Sequence, residues 1–276
     1  MSKKVLNEAV PVQQDGSSWE PVQLAVQLQK DMLKLKGEYM SDDGRSVDYV
    51  RLKNSDTFKD YIKQTCQLHY LDLTKLSLTE RKAFFINVYN SLTIHGLADC
   101  DQLPSSVLEV KDFWANTCYN IGGLVFSLDD MEHGILRGNR PHPSVAHKQQ
   151  HHFSQDDDPR TQLAMSSVDP RVHFALVCGA KSCPAIQVYT SDNLDRALEG
   201  AARSFCGQEV NVEGNKVTVS KILEWYASDF GANENELLSW ISKYLPNDLQ
   251  QQLVRLLSDN EPITIDSRPY NWTLNH

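Results

Sequence analysis

The sequence lacks the features that mark membrane-spanning, secreted and nucleic-acid-binding proteins. It contains no run of about 18 apolar residues, and its first residues lack the apolar core of a signal peptide. Its 27 Lys and Arg residues are outnumbered by 36 Asp and Glu residues, so the net charge is −9. A protein that binds phosphate backbones usually carries the opposite charge. We therefore expect a soluble cytoplasmic protein without a membrane span or a nucleic-acid partner.

Cysteine is scarce for a disulfide-stabilised protein of this length. The chain has 276 residues and six cysteines, at positions 66, 100, 118, 178, 183 and 206. Disulfide frameworks belong to short secreted chains. The sequence therefore predicts reduced thiols, most of them small buried hydrophobic side chains.

Apolar periodicity divides the chain into three parts. Residues 1–20 are polar, which predicts disorder. Residues 21–70 show helical spacing and predict an N-terminal helical extension. Residues 71–276 are predicted to form a single compact domain, interrupted near residues 138–168 by a loop insertion rich in proline, glutamine and histidine.

The predicted fold class is α+β, mainly helical, with a small mixed or antiparallel sheet. Strands are expected at Gly122–Phe126 and Val172–Cys178 and in a hairpin at Glu209–Val219. The Gly122-Gly123 pair is expected to supply the unusual backbone angles of a turn.

Two asparagines stand three residues apart on a predicted apolar helix over 77–97. Asn87 and Asn90 therefore share one face of that helix. Buried amides need hydrogen-bond partners. We favour hydrogen bonding between helices over a catalytic role for them.

The stretch SLDDMEHGILRG predicts a short helix. Ser127 is a natural N-cap, and Arg137 suits the helix end. Asp129 and His133 are four residues apart and can pair. The histidines of the following insertion show no fixed ligand spacing, so we expect no metal site there.

The stretch HFALVCGAKSCPAI carries two cysteines in different contexts. Cys178 ends a predicted apolar strand, where an inert packed thiol is ordinary. Cys183 precedes Pro184, which suits the first position of a helix, so Cys183 is a plausible N-cap. Helix N-termini and nearby cations such as Lys181 lower the pKa of a thiol. Cys183 is therefore the better candidate nucleophile.

A nucleophilic thiol needs a base and an orienting group. His133 with Asp129, Asp130 or Glu132 is one candidate set, and His173 is another. Two other uses of the thiols compete. The pair Cys178 and Cys183 could be redox-active, although the usual spacing is C-x-x-C, or could bind zinc together with His133 or His173.

Several motifs together resemble the domain-of-unknown-function family number 547. They are NVYNSLTIHG, YNIGG with SLDDMEHGILR, DPRVHFALVCGAKSCPAI and YNWTLN, spread in order from Leu71 to Asn275. The resemblance marks positions more firmly than roles, because the activity of the family is not settled. Its members occur alone or joined to glutaredoxin-like or DEP domains, and plant members are described as scaffold proteins. The positions it marks are Asn87, Asn90, Gly122, Gly123, Glu132, His133, Arg137, Arg171, His173, Cys178, Cys183, Pro184, Trp272 and Asn275.

Three functional hypotheses follow, and we expect no cofactor unless the third, in its zinc form, holds. The first is a cysteine-dependent hydrolase or acyltransferase in which Cys183 is the nucleophile and His133 the base. In it Glu132 or one of the two asparagines is the orienting or oxyanion group. The second is a binding or scaffold module in which Glu132, Arg137, Arg171, Asn87 and Asn90 satisfy one another. The third is a zinc or thiol redox protein. The partner would be an unknown small molecule or protein.

Overall fold

The computed structural model describes residues 3–8, 19–42, 46–153, 158–259 and 262–274, and the fold is α+β, as predicted. The α-helices are α1 (Pro21–Glu38), α2 (Tyr49–Asn54), α3 (Asp56–Thr65), α4 (Leu78–Ala98), α5 (Phe113–Asn116), α6 (Leu194–Glu209), α7 (Lys221–Trp225), α8 (Ala227–Phe230), α9 (Glu234–Ser242) and α10 (Asn247–Ser258). The strands are β1 (Lys4–Val5), β2 (Thr117–Ile121), β3 (Leu124–Ser127), β4 (Asn211–Glu213), β5 (Lys216–Ser220) and β6 (Thr264–Arg268).

The strands form two small mixed sheets. In the first, β1 is parallel and β3 antiparallel to the central β2, and Gly122 and Gly123 turn the hairpin with φ of 59° and 84°. In the second, β4 is antiparallel and β6 parallel to the central β5. The predicted hairpins are therefore confirmed at both places.

Each sheet belongs to its own hydrophobic core. The first core surrounds α4, which is buried from Ala83 to Ala98 and packs against α1. Its start is defined by a capping box between Ser77 and Glu80. The second core is built by α6, the second sheet and α7 to α10.

Residues 3–8 lie within the fold rather than forming part of a disordered tail. The buried Asn7 side chain accepts a hydrogen bond from the Asn120 amide at 2.8 Å and donates to the carbonyls of Asn120 and Thr65. These bonds replace those to water, so a polar segment can still be ordered. The remainder of the predicted disordered segment, residues 1–2 and 9–18, lies outside the described residues.

The predicted strand at Val172–Cys178 is wrong. A 3-10 helix occupies Pro170–Phe174, and the Asp169 side chain caps it by accepting from the Arg171 amide. The next residues, 175–178, belong to neither a helix nor a strand. Instead, the Asn90 side chain donates to the Ala175 carbonyl at 2.9 Å and accepts from the Val177 amide at 3.0 Å. The buried side-chain amide of Asn90 thus makes the hydrogen bonds that a neighbouring strand would otherwise make.

The predicted helix start at Cys183 is also wrong. Residues 184–190 have no helical structure, and α6 begins only at Leu194. The Asn87 side chain bonds to both the amide and the carbonyl of Tyr189, which fixes this segment away from a helical path. Cys183 itself ends a turn, donating its amide to the Ala180 carbonyl at 3.0 Å.

The predicted helix after Ser127 is present but is a π-helix, Asp130–Leu136. The Arg137 amide donates to the Glu132 carbonyl five residues earlier, at 2.8 Å. Ser127 caps the segment by accepting from the Asp130 amide. Gly134 lies so close to the Phe153 ring that an added Cβ would stand 2.1 Å from it. The described part of the 138–168 insertion therefore packs back onto this helix.

Among the residues that the structure describes, none of the helices combines the length and the apolar character needed to cross a membrane.

Candidate functional site

The candidate site is a cavity of about 730 Å³ where the two cores meet. α4, α5 and the π-helix line it from the side of the first core, and α7 and the residues that follow β6 from the side of the second. Its lining combines aromatic rings with carboxyl groups, imidazoles and one thiol. The polar and aromatic residues of this lining include Tyr89, Asp112, Trp114, Asp129, Glu132, His133, His142, His173, Cys178, Trp225, Tyr226, Tyr270 and Trp272.

Two thiols meet at the wall of this cavity. The Sγ atoms of Cys178 and Cys183 are 3.0 Å apart, and both residues are partly exposed. The Cys178 amide also donates to the Cys183 Sγ at 3.0 Å. The Tyr270 hydroxyl lies 3.3 Å from the Cys178 Sγ and 3.7 Å from the Cys183 Sγ. The hydrogen bonds described for these thiols do not include one to an imidazole.

The surroundings separate the pKa values of the two thiols. Burial opposes ionisation of Cys183, but the hydrogen bonds from the thiol and amide of Cys178 and from Tyr270 outweigh it and lower its pKa to about 7. The hydrogen bond to Cys183, together with burial, raises the pKa of Cys178 well above its usual value. Cys183 is therefore the thiol of the pair that ionises first, and it begins to do so near neutral pH.

The C-terminal tail positions the turn between the two thiols. The Lys181 amide donates to the Thr273 carbonyl at 2.9 Å, and the Asn271 amide donates to the Ser182 Oγ at 3.0 Å. Leu274 is fully buried and forms an isolated bridge with Ala180. Tyr270 thus reaches the thiols because the tail residues that follow it are attached to the turn between them.

Glu132 is a buried carboxylate held by two tyrosines. The Tyr226 hydroxyl donates to its Oε1 at 2.6 Å and the Tyr89 hydroxyl to its Oε2 at 3.0 Å. Burial opposes its ionisation, but attraction to His133 and His173 in their protonated forms, the bond from Tyr226 and the charge of Arg137 together lower its pKa. Glu132 therefore supplies a fixed negative charge.

His133 is neutral, with its proton on Nε2. Arg137 can only donate, and its Nη1 lies 3.1 Å from the His133 Nδ1, so that nitrogen is an acceptor. Burial lowers the pKa of His133 to about 3. The Nε2 lies 3.8 Å from the Asp129 carboxyl group, so the predicted Asp129–His133 pair is present.

Asp129 differs from Glu132 although it lies on the same turn. Burial and the charge of Glu132 raise the pKa of Asp129 to about 7. Glu132 therefore keeps its charge near neutral pH, whereas Asp129 changes charge there.

His173 is oriented by Asp229. The His173 Nε2 donates to the Asp229 carboxylate at 2.9 Å, and the ring stacks on Tyr226. Asp229 also accepts from Arg137 at 2.6 and 3.0 Å and from Arg140 at 2.8 Å. The charge of Arg137 is thereby paired outside the cavity lining.

The structure brings together four of the predicted site residues along one cavity: Cys178, Glu132, His133 and His173. Cys183 joins them through its contact with Cys178. The predicted arrangement of Cys183 with His133 as its base is absent, because the His133 Nδ1 accepts from Arg137 and its Nε2 faces Asp129.

The other predicted residues support the site without lining it. Asn87 and Asn90 hold the backbone on either side of the thiols, although their partners are loop segments rather than other helices. Arg171 bonds to Asp169 and Asp195 at 2.9 and 2.8 Å. The expectation that Glu132, Arg137, Arg171 and the asparagines satisfy one another is wrong, because each of them has other partners.

In the part of the chain that the structure describes, no group of three or more His, Cys, Asp or Glu side chains is arranged to hold a metal ion. The zinc hypothesis therefore finds no ligand set there. Asn275, marked by the resemblance, lies outside the described residues.

Sequence reasoning missed the tyrosines and Asp229. Tyr89 and Tyr226 hold Glu132, Tyr270 contacts both thiols, and Asp229 orients His173. The YNWTLN motif of the tail was a usable signal for Tyr270. No signal in the sequence marked Asp229, because an acidic residue in a short amphipathic helix is ordinarily exposed.

Residues 73–206 match the model of a family described as "Protein of unknown function, DUF547". This supports the resemblance, although the match ends before the predicted limit at Asn275, and Tyr226, Asp229, Tyr270 and Trp272 lie beyond it. Comparison with curated proteins and with solved structures found no match.

Proposed function

We propose that the domain resembling the DUF547 family is a thiol-dependent enzyme that carries out thiol–disulfide exchange at Cys178 and Cys183. The observation that carries the proposal is the 3.0 Å separation of the two Sγ atoms. This is about 1 Å longer than a disulfide bond, so a small rotation of either side chain would join them. Cys178 lines a cavity large enough for a small-molecule substrate, and Cys183 adjoins that cavity through its contact with Cys178.

Opposite protonation of the two thiols suits such an exchange. The thiolate is the attacking species, and a thiol with a pKa near the ambient pH attacks best. The pKa of Cys183, about 7, meets this condition. Cys178 keeps its proton until it is needed in the second step.

In the first step the Cys183 thiolate attacks one sulfur of a substrate disulfide. A Cys183–substrate disulfide forms, and the other substrate sulfur leaves as a thiolate. Cys178 then gives up its proton and attacks the Cys183 Sγ, which releases the second substrate sulfur. The Cys178 proton and one solvent proton end on the two substrate thiols, and the protein, now with a Cys178–Cys183 disulfide, has lost two electrons.

The test is to titrate the purified protein against glutathione mixtures of graded reduction potential and to quantify the Cys178–Cys183 disulfide by peptide mass mapping. We expect one two-electron transition that Cys178→Ser and Cys183→Ser each abolish. Cys100→Ser is the matched control, because Cys100 is also partly exposed but donates only to the Gly96 carbonyl. Failure of the disulfide to form at any potential while the protein stays folded would contradict the proposal.

One observation favours acyl transfer as a second candidate. His173, oriented by Asp229, and Cys178 line the same cavity, which is the residue set of a cysteine hydrolase. In that case Cys178 is the nucleophile, His173 the base and Asp229 the orienting group. Hydrolysis of a p-nitrophenyl ester panel distinguishes the two candidates. Acyl transfer requires Cys178 and His173 but survives Cys183→Ser, whereas disulfide exchange requires both cysteines.

A further inference from the structure

Four aromatic rings line the thiol end of the cavity and pack on one another. Trp272 lies 5.9 Å from Trp114 at an interplanar angle of 71°, 5.6 Å from Trp225 at 30° and 4.6 Å from Tyr270 at 55°. Tyr270 lies 5.3 Å from Trp225 at 55°. We call these four residues the aromatic cage. Three of these four ring pairs are inclined by 55° or more, so the rings do not form one flat face.

The acidic side chains that line the cavity are not matched by basic ones. The cavity lining contains the carboxyl groups of Asp112, Asp129 and Glu132, whereas its described residues include neither lysine nor arginine. The imidazoles of His133 and His142 add little positive charge, since burial lowers the pKa of His133 to about 3 and also lowers that of His142.

We infer that the cavity binds an organic cation, a primary or methylated amine. We further infer that the substrate is a disulfide of such an amine, an assignment that rests on the proposed thiol chemistry. A cation over the face of an aromatic ring is attracted by the negative face of that ring, and several rings together recognise ammonium groups. The carboxylates supply the opposite charge in a partly buried setting, where charge attraction is stronger than in water.

Charge argues against an anionic occupant. An anion would be repelled by Glu132, which stays ionised because its pKa is lowered.

The cage and the thiols share one residue. Tyr270 is a wall of the cage, and its hydroxyl lies 3.3 Å from the Cys178 Sγ. A short chain leading from an ammonium group in the cage would therefore place its sulfur atoms beside the pair.

Binding is tested without redox chemistry. The full-length protein is titrated with benzyltrimethylammonium, benzyl alcohol and benzoate, which share a ring and differ in charge, and tryptophan fluorescence is followed. We expect the cation to bind at least about tenfold more tightly than the alcohol and benzoate not to bind. Equal affinity for the three probes, or tighter binding of benzoate, would overturn the inference.

Variants locate the site. Trp272→Phe, which keeps an aromatic ring, should weaken binding of the cation by about threefold or more. Trp272→Leu should weaken it further while leaving the affinity for benzyl alcohol unchanged. Asp112→Asn removes an exposed charge from the cavity lining and should also weaken binding of the cation. The fold should tolerate this change, because asparagine adopts the positive φ of 53° found at this residue. Trp240→Phe is the control, because Trp240 packs on Phe230 away from the cavity lining. Unchanged affinity in the folded Trp272 and Asp112 variants would overturn the assignment.

The reaction is tested with a second matched series: cystamine, 2-hydroxyethyl disulfide and dithiodiglycolate, which carry positive, no and negative charge. The rate of Cys178–Cys183 disulfide formation should be at least about tenfold higher with cystamine than with the neutral disulfide. Cation binding without any disulfide formation would leave the cage assignment standing and refute the thiol chemistry. Equal rates with the three disulfides would support the thiol chemistry and refute the substrate class.

Discussion

At the scale of single residues, the donors around a thiol decide whether it is reactive or inert. Burial alone raises the pKa of Cys206 to about 12, and it is the main cause of the similar rise at Cys118. Cys183 is also surrounded by protein, but it receives an amide, a thiol and a hydroxyl, and its pKa falls to about 7. Residue type and burial therefore do not predict reactivity unless the hydrogen-bond partners are known.

We expect the alkylation rate of Cys183 by iodoacetamide, mapped by peptide mass, to rise with pH around a midpoint near 7, because only the thiolate reacts. Tyr270→Phe removes one donor and should move the midpoint upward, towards the value of about 8.5 for a free cysteine. A midpoint already near the free value in the unsubstituted protein, unaffected by this change, would show that the donors do not act on Cys183.

Asp229→Asn should lower the free energy of unfolding at pH 7 by about 3–5 kcal/mol, because it leaves the buried Arg137 without its counter-charge. The bonds to His173 and Arg137 overcome the opposing effect of burial and hold the pKa of Asp229 well below its usual value. Because its pKa is lower in the folded than in the unfolded protein, the Asp229 carboxylate stabilises the fold at pH values above about 3.9, the pKa of an unperturbed aspartate. This stabilisation is lost as the pH falls further.

The free energy of unfolding, measured in urea, should therefore differ by a constant amount between the unsubstituted protein and Asp229→Asn down to about pH 5. The difference should shrink below about pH 4. Asp266→Asn is the control, since Asp266 pairs with Lys216 at the surface, and it should change little. A difference that was already shrinking between pH 7 and 5 would contradict the assignment.

At the scale of elements, local signals predicted what local interactions build. The glycines of the first hairpin and the cap at Ser127 each act within a few residues, and each stands where the sequence placed it. The segment Val172–Cys178 has the composition of a strand but pairs with the Asn90 side chain. Its partner is 85 residues away in sequence, so the local pattern carried no information about it.

Asn90→Ala should cost about 1–3 kcal/mol for each of the two backbone groups it leaves without a partner, the Ala175 carbonyl and the Val177 amide. It should also slow formation of the Cys178–Cys183 disulfide, because the segment leading to Cys178 loses its anchor. Both effects are measured on one preparation, by urea unfolding and by peptide mass mapping. Asn54→Ala is the control, since Asn54 is near the surface and bonds only to the Val50 carbonyl of its own helix. Equal losses in the two variants would argue against the anchoring role.

At the scale of the whole molecule, the site exists because two cores meet. The first core supplies Tyr89, Glu132 and His133, whereas Tyr226 and Tyr270 come from the second. The family match ends at residue 206, so it covers the thiols and the π-helix but not the residues that complete their surroundings.

Deletion of residues 269–276 should raise the pKa of Cys183 and abolish binding of benzyltrimethylammonium. The deletion removes Tyr270 and Trp272, and with Leu274 it removes the bridge that attaches the tail to Ala180. The measurements are the alkylation midpoint and the fluorescence titration, with circular dichroism to show that the helices remain. Leu274→Ala is the partial variant, because it keeps both aromatic residues and loosens only their anchor. An unchanged midpoint in the folded deletion protein would show that the tail has no part in the site.

The sequence by itself determined the α+β class, the N-terminal helices, both hairpins, and the residues Cys178, Cys183, Glu132, His133 and His173 as candidates. These follow from periodicity, capping and turn chemistry, which act over a few residues, and from motifs that mark positions. Only the tertiary structure decided that Cys183 faces Cys178 and Tyr270 rather than a histidine. It also decided that Glu132 is held by tyrosines and that His173 is oriented by Asp229. Each of these outcomes depends on contacts between segments far apart in the chain, and no local pattern encodes a distance between them.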